Sequence, residues 1–158
     1  MTSKVRPIPE GHQTASPYLI VRDAARALEF YVKAFGAKEL FRHRGPDGRI
    51  GHAEIRIGDS VIMLADEHPE ADARSPEHYK GSPVSIHLYV EDVDRIANQA
   101  IAAGAKVKKP VATQFYGDRN GSVVDPFGHT WHVSTHVEDV SGPELDRRAA
   151  AAAKAAKG

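Results

Sequence analysis

A stretch of about 50 residues occurs twice in this chain, and fixed-period self-similarity constrains a fold more than any single motif. Leu19-Ile20-Val21-Arg22-Asp23 is followed by the helical run Ala24–Phe35 and by Gly36-Ala37-Lys38. Leu88-Tyr89-Val90-Glu91-Asp92 is followed by Val93–Ala103 and by Gly104-Ala105-Lys106. The copies are offset by 69 residues from Leu19 to Leu88 and by 68 from Gly36 to Gly104, so the second helix is one residue shorter. Each copy runs on into a strand pair, His52–Ile57 with Ser60–Ala65 and Ser122–Asp125 with Thr130–Ser134. The unit is β-α-β-β-β, used twice.

Local chemistry supports each junction. Asp23 and Asp92 stand where a helix needs an N-cap, because a carboxylate can accept from the free amides of the first turn. Ala24, Ala27, Leu28, Tyr31 and Phe35 then recur at three- and four-residue steps, as do Val93, Ile96, Ala97 and Ala100, which gives each helix one apolar stripe. Gly36 and Gly104 supply the stop. The remaining strands are expected at Ser16–Val21, Glu39–Arg44, Ser85–Val90 and Lys106–Val111, and Thr130–His136 closes the second copy. Pro46-Asp47-Gly48 and Gly58-Asp59 mark turns, and Gln114–Gly121 reads as a polar, aromatic and glycine-rich loop. The expected organisation is an N-terminal arm at 1–15, a first module at 16–67, a connector at 68–83, a second module at 84–137 and a helical tail at 138–158. His68 and His78 of the connector, and His129 and His136 beside the last strand, read as surface groups. In the tail, Ser141-Gly142-Pro143-Glu144 has the pattern of a capping box, and Ala149–Gly158 has helix propensity without an apolar stripe.

Composition narrows the function classes. Lys+Arg and Asp+Glu both number 21, so formal charge is zero and no basic face for nucleic acid is expected. No apolar run approaches the roughly 20 residues of a membrane helix, and Met1–Ala15 carries no apolar signal core. The chain has no cysteine, which excludes disulfides, thiolate metal sites and cysteine nucleophiles. A cytoplasmic protein is the expectation. Phosphate-cradling glycine loops and the Gly-x-Ser-x-Gly elbow are also missing from the sequence.

Strand parity sorts the sheet residues into two sets. Leu19/Val21, Ile55/Ile57, Ile62/Leu64, Ile86/Leu88/Val90 and Trp131/Val133 form the aliphatic face that the helices should cover. The other face collects Ser16, Tyr18, His52, Glu54, Arg56, Met63, Ser85, His87, Tyr89 and His132. Methionine, tyrosines and histidines mixed with charge suit the wall of a half-wet cavity; an exposed sheet face or a subunit interface is the plainer alternative.

Pro17-Tyr-Leu-Ile-Val-Arg-Asp23, Phe30-Tyr31, Phe35-Gly36-Ala37, His52-Ala-Glu-Ile-Arg-Ile-Gly58 and Asp125-Pro-Phe-Gly128 together resemble the glyoxalase/bleomycin-resistance/dioxygenase group, the vicinal oxygen chelate superfamily. The resemblance spans about Thr14 to Asp139 and is similar in detail to the PhnB-like branch. It implies an α+β fold in which two βαβββ modules of one chain form a cupped, barrel-like mixed sheet with helices on the outer face. It implies a homodimer as well. In metal-using members four strand positions supply His, Glu, His and Glu to one divalent cation. Carried over, these fall on Ser16, Met63, Ser85 and His132, of which only His132 could ligate as it stands.

The resemblance and the residues leave three readings. The first is a protein of the bleomycin-resistance kind that holds a small planar or anionic molecule in the cup without cofactor or metal. Its ligand-binding residues are then His52, Glu54, Met63, His87, Tyr89, Phe115, Tyr116, Arg119 and His132, with Phe115 or Tyr116 stacking on a planar ligand and Arg119 meeting an anion. The second is a metal-dependent lyase, isomerase or dioxygenase in which His87, His132 and Glu54 form a displaced site for Zn, Ni or Fe. The third is a metal-free enzyme with Glu54 or a histidine as base, Asp118 and Glu54 being one conceivable acid/base pair.

Overall fold

The computed structural model describes residues 5–157; Met1–Lys4 of the expected arm and the last residue of the tail lie outside the described residues. The chain divides into two units. One runs to Pro83 and takes in Pro126–Gly128; the other comprises Val84–Asp125 and the chain from His129 onward.

The first unit contains β1 (Tyr18–Val21), α1 (Ala24–Phe35), β2 (Lys38–Arg44), β3 (Ile50–Ile57), β4 (Ser60–Asp66), a 3₁₀ turn at Pro69–Ala71 and the single-turn helix α2 (Pro76–Tyr79). Its sheet has the order β1-β4-β3-β2, with β1 parallel to β4 and the other pairs antiparallel. The second unit contains β5 (Ser85–Tyr89), α3 (Val93–Ala103), β6 (Lys106–Thr113), β7 (Asp118–Val124), β8 (Thr130–His136) and α4 (Gly142–Ala155), with the matching order β5-β8-β7-β6. The 69-residue offset survives in the pairing: Tyr18 lies opposite Met63, and His87 opposite His132.

Each module forms its own four-stranded mixed sheet, as expected of an α+β fold of two βαβββ modules, and neither sheet is a closed barrel. The edge strands explain why. β2 exposes Lys38, Glu39, Arg42 and Arg44, β6 exposes Lys106, Lys108, Lys109 and Pro110, and both are bulged against their neighbours. Charged, bulged and proline-bearing edges resist further pairing.

Both helices begin and end where the cap residues place them. Asp23 accepts from the Arg26 amide at 3.1 Å and Asp92 from the Arg95 amide at 3.0 Å. Gly36 takes φ 65°, the left-handed conformation a glycine adopts without a Cβ penalty. A second side chain fastens each helix start from the sheet. Asp66 accepts from the Ala24 amide at 2.6 Å and, through its other oxygen, from the Ile50 amide at 2.7 Å. In the second unit Thr135, 69 positions on, accepts from Val93 at 2.9 Å.

The aliphatic sheet faces are buried as parity requires. In the first unit Val21, Leu28, Tyr31, Ile55, Ile62 and Leu64 form the centre of the core, and Phe127 joins it with its ring 6.2 Å from Phe30 and 6.4 Å from Tyr31. Arg22 lies over the Phe127 ring at 5.3 Å and donates to the Pro126 carbonyl at 2.7 Å. In the second unit Trp131 is fully buried against Val93, Val123 and Val133 in the same core, and its indole N–H donates to Asp125 at 2.9 Å.

Several boundaries differ from expectation. β1 starts at Tyr18, leaving Ser16 before the strand. β3 starts two residues early at Ile50, and β4 ends at Asp66. Only the first half of the expected Gln114–Gly121 loop is a turn, because Asp118–Gly121 belong to β7: all four pair with β8, and Arg119 and Asn120 pair with β6 as well. The Ser141 capping box does not form: Ser141 makes no side-chain cap, and Glu144 instead binds Arg147 and Arg148. Finally, the arm is fastened to the first sheet through Gln13. The Gln13 side chain donates to the Val61 carbonyl at 2.7 Å and accepts from the Val61 amide at 3.1 Å.

Candidate functional site

On the polar face of the first sheet a hydrogen-bonded line joins three elements. The Tyr18 hydroxyl of β1 meets His52 Nδ1 at 2.8 Å, and His52 Nε2 meets Glu54 Oε1 at 3.2 Å within β3. The other Glu54 oxygen receives His12 Nε2 at 3.0 Å from the segment before β1. A carboxylate only accepts, so His52 Nε2 donates to Glu54. Burial is the largest influence on Glu54 and pushes its carboxyl up, but the hydrogen bonds from His52 and His12 together outweigh it and hold it below the ordinary value. Burial, then the Glu54 charge, raises the Tyr18 phenol. Met63 sits between Tyr18 and Glu54 in the ladder, and the Phe41 ring flanks His52 at 6.1 Å.

Tyr18 also forms part of a cleft of about 610 Å³ within the first unit. Ile20, Ile50 and Ala65 make its apolar floor, and His43, Arg49 and His68 bring polar groups. Arg49 is held by Asp47 at 2.7 Å and Glu70 at 3.0 Å. That volume and mixture match a small-molecule site.

The polar face of the second sheet is built differently. His87 stacks on His132 with ring centres 5.9 Å apart, lies 4.9 Å from the Tyr89 ring, and hydrogen-bonds Ser134 Oγ at 2.9 Å. Burial first, then His87, Lys108 and Lys109, keep His132 below the ordinary imidazole value and so favour its neutral form. The Tyr89 hydroxyl donates to Asp118 Oδ2 at 2.8 Å, His136 Nδ1 meets Asp118 Oδ1 at 2.8 Å, and His136 Nε2 meets Asp139 at 2.8 Å. The His136 hydrogen bond lowers the Asp118 carboxyl, and Asp118 followed by Asp139 raises the His136 imidazole.

The sequence-predicted residues thus fall into two clusters: His52, Glu54 and Met63 in the first unit, His87, Tyr89 and His132 in the second. Phe115 and Tyr116 occupy the β6–β7 turn, edge to face at 5.4 Å and partly exposed. Arg119 lies in β7 and directs its fork at Asp94, with Nε and Nη2 each at 2.7 Å, so its charge is already matched. Asp118 and Glu54 each have partners within their own unit. Sequence reasoning missed His12, whose polar, proline-bearing surroundings carry no periodic signal, and left Tyr18 out of the site although parity placed it on this face. It also took His136 for a simple surface group, whereas both its ring nitrogens are engaged.

The four positions implied by the resemblance do not fit a divalent metal: Ser16 and Ser85 offer neutral hydroxyls, Met63 a thioether, and only His132 an imidazole. Of the displaced set, His87 and His132 lie side by side in the second unit, and Glu54 is bound by His52 and His12 in the first. Among the described residues no group of three or more His, Asp or Glu is arranged to hold a metal ion.

The family model described as Glyoxalase/Bleomycin resistance protein/Dioxygenase superfamily matches residues 12–133. This chain belongs to that superfamily. The uncharacterized protein Rv0887c of Mycobacterium tuberculosis is 46% identical to it over 133 residues, 82% of this chain and 78% of that protein. The crystal structure of TioX from Micromonospora sp. ML1 matches with a TM-score of 0.61 and 25% identity, covering 82% of this chain and all of that one. Protein PA1353 from Pseudomonas aeruginosa matches with a TM-score of 0.65 and 24% identity over 80% of this chain and 99% of its own, a likeness of fold.

Proposed function

We propose that this protein, a member of the PhnB-like branch, binds a small planar or anionic molecule on the histidine- and tyrosine-bearing sheet faces without the metal site of its relatives. The cleft carries the reading: about 610 Å³, apolar at its floor, with Tyr18 at its wall and cationic or imidazole groups converging on it. The donor chemistry at Ser16, Met63 and Ser85 supports the metal-free part. The proposed ligand-binding residues are His52, Glu54 and Met63 on the polar sheet face of the first unit and His87, Tyr89 and His132 on that of the second, together with Phe115, Tyr116 and Arg119. A homodimer in the cytoplasm completes the reading; among the described residues no helix is long and apolar enough to cross a membrane.

A thermal-shift screen with planar aromatic drugs and phosphonates tests this. A compound that binds only the folded state adds about 2.7 kcal/mol of stability at a hundredfold excess over its Kd. The expected result is a melting shift that disappears in Tyr18→Ala and is unchanged by the chelator EDTA. The absence of any shift across both compound classes at millimolar concentration would refute the proposal.

A further inference from the structure

We propose that the second unit carries a separate binding pocket, between α3 and its sheet, for a neutral one- or two-ring molecule such as a phenol or an indole. The pocket lies on the side of the sheet away from His87, Tyr89 and His132 and does not rest on the ligand reading above.

It encloses about 300 Å³. Asp94, Ala97, Asn98 and Ile101 make one wall, at the three- and four-residue steps that put them on a single stripe of α3. Gly121, Val123 and Val133 make a buried floor. Val123 and Val133 alternate with Ser122 and His132 along their strands, so they face the helix. β6 makes the opposite wall, where its register shifts between Lys109 and Ala112. There Val111 leans over Gly121 so closely that a Cβ would stand 2.9 Å from Val111 Cγ2 and 3.0 Å from the Lys109 carbonyl.

The repeat explains why there is room at this place. Ala97 stands 69 positions after Leu28 and Val133 69 after Leu64, while Gly121 and Val123 stand 68 after Ala53 and Ile55. The ladders agree, since Gly121 pairs with Val133 as Ala53 pairs with Leu64. Leu28, Ala53, Ile55 and Leu64 are all buried in the first unit, and the second copy has a smaller residue at each of these positions. Trp131, in place of Ile62, is larger but lies outside the lining. Protein interiors pack closely, so coincident reductions around one spot leave a space that a ligand can take.

Size and charge define the occupant. An apolar cavity of roughly 150 Å³ holds a benzene, so this volume suits one or two rings, whereas an α-helix about 10 Å across does not enter it. The Asp94 carboxylate is already matched by Arg119, with both contacts at 2.7 Å. Lys109 stands opposite Ser122, and Ser122 opposite His132, which directs the ammonium to the other face of the sheet. Asn98, on the exposed edge of the stripe, offers one hydrogen bond at the mouth.

The test is a methyl NMR titration. Full-length protein labelled at isoleucine and valine methyls is titrated with p-cresol and indole, and with benzoate and benzylamine as charged probes of similar size. Saturable shifts at Ile101, Val107, Val111, Val123 and Val133 are expected with p-cresol or indole, and weaker binding with the charged pair. Ala97→Leu, which restores the residue of the first copy, should weaken binding at least about tenfold. Ile101→Ala, at a position 40% exposed and so removable without opening the core, should also weaken it, with circular dichroism confirming that both variants fold. No saturable shift with either neutral probe, shifts confined to the first unit, or unchanged affinity in both variants would overturn the pocket. Methyl shifts that follow protein concentration in place of ligand would assign the space to a second copy of the chain and overturn it as well. Charged probes that bind as tightly as the neutral ones would overturn the ligand class. None of these outcomes bears on the sheet-face reading, which Tyr18→Ala tests in the other unit.

Discussion

Asp125 offers the sharpest test of how the second unit holds together. Its carboxylate lies buried at the head of the Asp-Pro-x-Gly turn, where it accepts from the Trp131 indole N–H at 2.9 Å and from the His129 amide at 2.9 Å. Asp125→Ala removes both acceptors. A hydrogen bond to a charged group contributes about 1.5–3 kcal/mol, and a buried donor left without its acceptor costs about 1–3 kcal/mol. His129 is only half-buried and its amide can turn toward water, whereas Trp131 has no exposed surface. The loss should therefore be about 3–4 kcal/mol, a large share of the roughly 5–15 kcal/mol that a domain possesses. Trp131 is the only tryptophan, so urea unfolding followed by its fluorescence reads this neighbourhood directly, and far-UV circular dichroism gives the second probe that a two-state fit requires. The midpoint should fall without a change of slope. A double-mutant cycle with Trp131→Phe, read by circular dichroism, isolates the indole contact, and the Asp125→Ala cost should shrink by about 1–2 kcal/mol in that background. A single-variant cost below about 1 kcal/mol, or an equal cost in both backgrounds, would show that the turn does not depend on this carboxylate.

Three further outcomes follow from the geometry. Gly117→Ala should be destabilising by upwards of about 1–3 kcal/mol, because φ is 99° there and a Cβ would stand 2.1 Å from the Glu138 carbonyl; a melting temperature equal to the wild type would contradict this. The His136 imidazole is raised above its ordinary 6.5 by Asp118 and then Asp139, so what it adds to stability is complete below that value and is lost as pH rises through the higher folded-state value. As pH rises above 6.5 the wild-type urea midpoint should therefore decline, and His136→Gln should flatten that decline; an equal slope in the variant would refute the link. Phe127→Ala should cost about 3–5 kcal/mol, since the ring is 2% exposed and packs edge-on against Phe30, and equilibrium unfolding measures it.

The repeat made most of the fold legible because its punctuation is chemical. Asp23 and Gly36 bound the first helix and Asp92 and Gly104 the second, so both helices run over the expected residues. The β7 boundary was not legible because glycine reads as a loop former, whereas Gly121 sits inside the strand for want of space: a Cβ there would meet the Lys109 carbonyl and the Val111 amide at 3.0 Å. Parity placed His52, Glu54 and Tyr18 on one face, and alternation alone suffices for that. It could not show that a histidine from the arm reaches Glu54 across 42 positions, since contacts between distant segments leave no periodic trace. The pairing of Arg119 was not legible for the same reason: its partner Asp94 lies in the first turn of a helix 25 residues earlier.

The three residues Pro126–Gly128 belong to the first unit although the chain on either side belongs to the second. A gene cut after Pro83 would encode every strand and helix of the first sheet and still omit the aromatic ring that caps Phe30 and Tyr31. The two copies look separable in the primary sequence, but the first cannot be expressed as an uninterrupted fragment ending at Pro83 with its full complement of packing partners.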